Sequence, residues 1–574
     1  MPAKPVRIAW ELEAAAPIAR TWALFSDTDR YNRAVGFGFT FEDVPQEDGT
    51  VERTGTASIM GVRFVWDELP FEYRANEWYR IRRRFRSGPA TDLTITLRLA
   101  PRGGATAIRY TIEALPRNAL TRPIVKLELT GKTKPKIDRV LKVMLKRLAN
   151  PATTYDRTPP GLSREAEALL SRQVDSMAHK AVGQRLAEFI RSGPLHVQNQ
   201  LHPLKLAQLW KMEADDTING LLEATRLGVI DLQWDLLCPM CRGAKLQTKT
   251  LPLNPPEAHC SSCNIRYDGG FPDAIAVSFR TSSQLRSFEV APACIGSPAL
   301  QPQVIAQDNI EPEETTSFAM NLEVGTYRIR TVPSRRTTSI LVEPNAQTSE
   351  CRFTLSHNAL RPERVVLKPG LCLLALENAS FHRVTACLEK RHLPQDTMTA
   401  GQLLMRYAHT GALPDWLFEP TQTLRTKRCW VVAVEVAQWA PAVLDALKRW
   451  SEASPSKRLK RDGSAVVVSF DGAEVAMRAL AHILGHADMS VAIGHGDLVE
   501  ASSEAFTTQF GDVVDSVLVA ASACLPGRAY LINDSEDQLR GPLSAHGWSV
   551  ATTTTSLGRD TLVVEAHRLS ANDG

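Results

Sequence analysis

"KIDRVLKVMLKRL", Lys136–Leu148, decides how the first part of this chain folds. Ile137, Val140, Leu141, Met144, Leu145 and Leu148 recur at spacings of three and one, so they lay a single apolar stripe along one helix. Working back toward the N-terminus, "VRIAWELEA" reads as a strand and "PIARTWALFSD" as a short helix with Pro17 in its first turn. "RFVWDELPFEYR", "EWYRIRRRFR", "TDLTITLRLAP" and "TAIRYTIEAL" then read as strands. One strand, one short helix, a curved antiparallel sheet and a closing helix predict a helix-grip domain over residues 1–150.

Working forward, "NPATTYDRTPPGLS" is a Pro-rich boundary near residues 150–163. Residues 151–272 are expected to hold this linker, a helical stretch and a four-cysteine ribbon. The helices include "HPLKLAQLWKM" and "DTINGLLEATRLGVI", with Gly228 suited to the last helix end. Residues 273–395 alternate apolar and polar positions between turn signals, from "DAIAVSFRTS" to "HRVTACLEK", which predicts a β-sandwich. Residues 396–574 begin with the helix "TAGQLLMRYAHTGALP" and then alternate strands and helices as an α/β domain does. The fold class expected is therefore multidomain α+β.

Composition agrees with several globular cores. The chain has 574 residues, 44% hydrophobic and 23% charged, too long for one core. A net charge of +4 over that length exerts no global pull toward nucleic acid or membrane. "RRRFR" at Arg82–Arg86 and "KRLKR" at Lys457–Arg461 read as solvated edges. No apolar run reaches the roughly 18–20 residues that cross a bilayer. The first residues lack a signal-peptide core, so a cytoplasmic location is expected.

Ten cysteines in this length make no disulfide framework, but four of them form two tight pairs. "CPMC" supplies Cys238 and Cys241, and "CSSC" supplies Cys260 and Cys263. Each C-x2-C pair fits a tight turn that points two thiolates inward, and two such turns make a closed tetrahedral zinc site. All-thiolate ligation leaves no open position, so the zinc would be structural. A redox-active pair is the alternative, and His259 beside Cys260 is a substitute ligand. A ribbon can also read nucleic acid, but this one lacks the dense basic and aromatic surface that such a role needs.

Three stretches of the last region fall into a recognisable order: "CWVVAVEVAQWA" (Cys429–Ala440), "KRDGSAVVVSF" (Lys460–Phe470) and the run from Met489 to Ile532 containing "FGDVVDSVLVAA". Together they resemble the class III adenylate/guanylate cyclase catalytic domain, whose core is ferredoxin-like. The N-terminal element order, with "DTDRYNRAVG" after the first helix, resembles the START/polyketide-cyclase (SRPBCC) superfamily, whose members bind apolar ligands between helix and sheet. The segment from His202 to Cys241 resembles a bacterial group in which a helix-grip domain and a cysteine-ribbon domain of unknown function precede a cyclase.

The cyclase resemblance implies two metal-binding aspartates, and this chain departs at both. Glu435 stands in the place of the first. Ser464 stands in the place of the second, unless a shifted alignment uses Asp462. The family's Asn-x-x-x-Arg pair falls on Asp515 and Val519, so the amide that orients ribose and the arginine that stabilises the transition state are both lost. Lys460 and Thr508 keep the purine-reading places. Active members need two Mg²⁺ ions and a dimer, so Mg²⁺ applies here only if the domain is active. The resemblance implies a pseudo-cyclase that signals or scaffolds, with a possible homodimer and an apolar ligand in the N-terminal domain. A slow or atypical cyclase acting on ATP or GTP, and an adaptor working through the ribbon, stay open. His495, and His482 with His486 at helical spacing, read as surface or packed histidines.

Overall fold

The computed structural model describes residues 4–568 apart from 46–50, 60–61, 151–158, 239–242, 253–257, 261–264, 268–274, 287–293, 295, 333–335, 358, 391–396, 408–412, 419–421, 437–444, 448, 450–459, 463–464, 481–482, 484–488, 503–506, 525–527, 533–534, 546–547 and 557–561. The chain is a mixed α+β protein with several sheets.

In the first unit β1 (Val6–Ala14) alternates strictly, with Val6, Ile8, Trp10 and Ala14 buried and Arg7, Ala9 and Glu11 exposed. Two short helices follow, α1 (Ile18–Phe25) and α2 (Thr28–Val35). The Asp27 carboxylate caps α2 by accepting from the Arg30 N–H at 3.1 Å, and Gly36 ends it at φ 83°, a backbone that glycine adopts without a Cβ clash. The antiparallel strands β2 (Thr40–Pro45), β3 (Val51–Ile59), β4 (Val62–Glu68), β5 (Glu72–Arg74), β6 (Trp78–Phe85), β7 (Ala90–Arg102) and β8 (Ala105–Pro116) complete its share of the sheet, with β1 paired to β8. A short helix α3 (Arg122–Lys126) and a π-helical turn (Leu127–Thr133) lead into α4 (Lys134–Ala149). Ile137, Val140, Leu141, Met144 and Leu148 of α4 are buried against the sheet, while Leu145 of the expected stripe is only partly buried.

The second unit packs α5 (Arg164–Ser176), α6 (Lys180–Ser192), α7 (Leu195–Gln198), α8 (Pro203–Trp210) and α9 (Ala214–Arg226) onto β9 (Ile230–Leu237), β10 (Ala244–Thr248), β11 (Ala258–Cys260), β12 (Ile265–Tyr267) and β13 (Ile275–Thr281). Gly228, at φ 75°, turns the chain out of α9. The structure redraws one boundary. β13, which alternation assigned to the sandwich beginning at residue 273, pairs instead with β9. It is buried on both faces apart from Arg280, so its own pattern carries no information about which sheet owns it.

The third unit comprises β14 (Val304–Ile310), β15 (Thr315–Leu322), β16 (Gly325–Val332), β17 (Thr337–Val342), β18 (Glu350–Leu355), β19 (Leu360–Arg361), β20 (Arg364–Leu367), β21 (Gly370–Asn378) and β22 (Val384–Lys390). They form two sheets around one core that includes Phe318, Ile329, Phe353, Leu374 and Leu388. One of these sheets is not separate from the first unit. β14 pairs with β5, so strands of both units run on as one 13-stranded sheet. The seam is reinforced by side chains. Arg74 donates to the Asp308 carboxylate at 3.0 Å and to the Ser317 carbonyl at 3.1 Å, and Gln307 donates to the Phe71 carbonyl at 2.6 Å. Nearby, Gly296 lies so close to Phe71 that an added Cβ would stand 2.8 Å from the ring.

After α10 (Ala400–Tyr407), which packs into the second unit's core, the fourth unit is an eight-stranded sheet. Its strands are β23 (Thr423–Val436), β24 (Lys460–Asp462), β25 (Ala465–Phe470), β26 (Met489–Ser502), β27 (Thr507–Phe510), β28 (Arg528–Ile532), β29 (Trp548–Ser556) and β30 (Leu562–Arg568). Helices Ala473–Leu480 and Ser535–Ala545 cover one face and helix Asp512–Ala523 the other. The outer ends of β23 and β26 reach the second unit's core through Leu424, Val499 and Ala501. No helix among the described residues is long and apolar enough to cross a membrane.

Close to the seam, Glu389 on β22 is 1% exposed and binds Arg330 at 2.9 Å and also Arg328. Removing one member of a buried ion pair strands the other's charge, at a cost of about 3–5 kcal/mol. Glu389→Gln, close to isosteric, is therefore expected to lower the urea midpoint of the unit's unfolding transition in the full-length chain, so that the midpoint shift multiplied by the denaturant slope comes to about 3–5 kcal/mol.

Candidate functional site

The fourth unit's core strands explain where its polar residues stand. Along β23, Val432 and Val434 face one helix layer while Val431 and Ala433 face helix Asp512–Ala523. Glu435 continues the second series, at the place where a further apolar residue would complete the face. The register pairs Glu435 with both Ala465 and Ser490, and Ala465 with Asp462. Asp462, Ala465, Glu435 and Ser490 thus form one row across β24, β25, β23 and β26.

A residue from the third unit enters this row. Arg364, the first residue of β20, donates to the Ser490 hydroxyl at 2.8 Å and to the Cys524 carbonyl at the end of helix Asp512–Ala523. Burial pulls the Arg364 pKa down, and the negative charge of Glu435 acts in the opposite sense. A guanidinium withdrawn from water keeps its proton only when oxygen acceptors and a counter-charge surround it, and this pocket supplies both. Leu341 and Val366 of the same unit pack beside it onto the Asp512–Ala523 helix layer. Nothing in the sequence around Arg364 pointed to this contact, because its partners lie more than a hundred positions away.

Asp515 and Val519 are both half-buried on helix Asp512–Ala523. Asp515 lies in the first turn, where an acid complements the helix's positive end, so the residue has a local structural reason to be there. Lys460 on β24 pairs with Val467 on β25, and Thr508 pairs with Ala501 at the far end of β26. Through the sheet register Lys460 aligns with Ala492, nine residues along β26 from Ala501, so roughly 30 Å of strand separates the two purine-reading places. One copy of the chain does not bring them together. Ser464, His482 and His486 lie outside the described residues. His495 stacks on Trp430 with ring centroids 4.7 Å apart, and burial lowers its pKa, as suits a packed neutral imidazole.

In the second unit Cys238 directly follows β9, and Cys260 ends β11. The Cys238 N–H donates to the Gly243 carbonyl at 3.0 Å as β9 turns toward β10, and Cys260 pairs with Ile265 across the β11–β12 hairpin. Cys238 and Cys260 are fully buried in one core with Leu251 and Ala258. Cys241 and Cys263 lie outside the described residues. His259 pairs with Arg266, one position from Cys260. Three residues before Cys238, the buried carboxylate of Asp235 accepts from Gln200 at 2.9 Å and Gln247 at 2.8 Å, and burial pushes its pKa up. The signal for it was an acid inside the otherwise apolar "WDLL".

Between sheet and helices in the first unit, Tyr31, Tyr79 and Tyr110 are buried, Tyr31 meeting Tyr110 edge to face with ring centroids 6.0 Å apart, and burial raises all three pKa values, that of Tyr110 to about 12. Cys294, from the stretch that leads into the third unit, closes the same interior. Its N–H donates to Asp29 at 2.8 Å, its thiol accepts from Thr28 at 3.1 Å, and burial raises its pKa to about 12.

Residues 163–295 match a family of unknown function, DUF5939. This span contains helices α5–α9, both cysteine pairs and β13, and it ends one residue beyond Cys294. No curated protein matches the chain. Among solved structures, an aromatase/cyclase, Zhui, from Streptomyces sp. R1128 aligns at 13% identity and TM-score 0.21, covering 26% of this chain and 100% of that one. A START superfamily protein from Mycobacterium smegmatis aligns at 18% identity and TM-score 0.19, covering 25% and 98%. An adenylate/guanylate cyclase/hydrolase from Silicibacter pomeroyi aligns at 14% identity and TM-score 0.20, covering 26% and 100%. Likeness at this level carries no functional argument.

Proposed function

We propose that this chain is a signalling or scaffold protein whose C-terminal unit is a catalytically silent relative of class III nucleotide cyclases, and whose first unit is a helix-grip sensor of an apolar ligand. One observation carries the first part: the half-buried Arg364 guanidinium, bonded to Ser490, stands beside Glu435, at the place that the cyclase resemblance gives to the first metal carboxylate. A fixed cation there neutralises the charge that would attract Mg²⁺ and opposes a divalent ion by direct repulsion. The replacement of the transition-state arginine by Val519 and the distance between Lys460 and Thr508 favour the same reading. Dimer formation through this unit would follow the family pattern. The aromatic interior under α4, with its tyrosine hydroxyls, supports an apolar ligand with a polar end.

The cysteine hairpins support a structural zinc held by Cys238, Cys241, Cys260 and Cys263, since Cys238 and Cys260 are buried in one core. Asp462 favours the second reading, a slow cyclase, because it shares a register row with Glu435. However, Ala465 lies between them, and two strand spacings amount to about 10 Å, wide for two carboxylates that share one Mg²⁺.

Purified full-length protein given ATP or GTP with Mg²⁺ or Mn²⁺ is expected to make no cyclic nucleotide. Turnover that disappears in Asp462→Ala would overturn the silent reading. Elemental analysis of the same preparation is expected to find one zinc per chain. Cys260→Ser should lose it and lower the melting temperature, and a zinc-free wild type that melts normally would remove the metal from the account.

A further inference from the structure

The chain's positive charge is concentrated in one place. Arg117–Arg147 holds ten Lys and Arg residues against two acids, Glu128 and Asp138, a net +8 that leaves net −4 on the rest of the chain. Both acids have local lysine partners, Glu128 with Lys132 and Asp138 with Lys134. On α4 the residues opposite the buried stripe are Lys136, Arg139, Lys142 and Lys146, all exposed, which makes a cationic ridge along the outer face of the helix.

The segment entering this ridge is apolar on two sides. Val125 and Leu129 turn inward, while Leu120, Ile124 and Leu127 are 87%, 56% and 63% exposed. Leu120 lies in the turn before α3, Ile124 within α3 and Leu127 at the start of the π-helical turn, so three exposed aliphatic side chains fall within eight residues where the chain enters the ridge. Folding the unit gains nothing from leaving three large aliphatic side chains in water, and their position at one end of a ridge of ammonium and guanidinium groups calls for a partner that takes both.

We propose that Leu120–Lys146 is the face by which this protein docks peripherally on an anionic lipid bilayer. Leu120, Ile124 and Leu127 enter the boundary between headgroups and acyl chains, and Lys136, Arg139, Lys142 and Lys146 lie along the negatively charged headgroups. The apolar side chains favour a bilayer over a nucleic acid, whose phosphate backbone would use the cations and leave the leucines in water. Docking there also places the first unit's closing helix against the source of an apolar ligand.

The test is sedimentation of the full-length protein with vesicles of phosphatidylcholine alone or mixed with phosphatidylserine. Binding to the anionic vesicles alone is expected. The Lys136→Glu/Lys142→Glu pair should weaken it roughly tenfold or more at physiological salt. Leu120→Ser/Leu127→Ser should leave only binding that raised salt abolishes. All four side chains are exposed, so thermal melting should match wild type and separate lost docking from lost fold. Equal sedimentation with neutral vesicles, no sedimentation with either, or binding of duplex DNA in place of vesicles would each overturn the proposal.

Discussion

The pairing of β5 with β14 is the interaction on which the rest of the architecture depends. A strand edge in water leaves backbone donors and acceptors open to any other chain, and proteins close or cover such edges. Here the edge of the first unit is closed by the third, with Arg74 and Gln307 adding side-chain bonds to backbone carbonyls across the seam. The three-residue length of β5 is too short to stand as an edge by itself, and its burial follows from having a neighbour on each side. Because the seam fixes the third unit, it also fixes where β20 points, and therefore where Arg364 lies.

The fourth unit is held at both ends by other parts of the chain. The outer ends of β23 and β26 pack into the second unit's core through Leu424, Val499 and Ala501, and the opposite end of the sheet receives Arg364. Such a sheet cannot pivot without breaking one of these contacts. A hydroxyl, a carbonyl and a nearby carboxylate are a set that suits a half-buried guanidinium. The same carboxylate in a two-metal site would need its partners free. The row Asp462–Ala465–Glu435–Ser490 therefore reads as a structural clasp, consistent with Asp515 serving its own helix end.

The elements were legible where one face alone was buried. β1 shows its alternation openly, and α4 shows its stripe, because each has one face in the core and one in water. Ownership of β13 was not legible, since a strand buried on both faces has no pattern that names its partner. Arg364 was hidden for a different reason: an arginine opening a short strand looks like any solvated edge until a distant Ser490 and Cys524 are folded against it. The separation of Lys460 from Thr508 was equally invisible, because sequence order does not reveal that Lys460 aligns through β25 and β23 with Ala492, while Thr508 pairs with Ala501 nine residues further along β26.

The claim at the centre of this account is that Arg364 occupies the cation position beside Glu435. Titration of the full-length protein with Mn²⁺, followed by electron paramagnetic resonance, tests it directly, because bound and free Mn²⁺ give different signals whether or not any reaction occurs. The account predicts no tight Mn²⁺ site in the wild type. A tight site in the wild type that Glu435→Gln abolishes would show that the carboxylate is open to metal, and would contradict it.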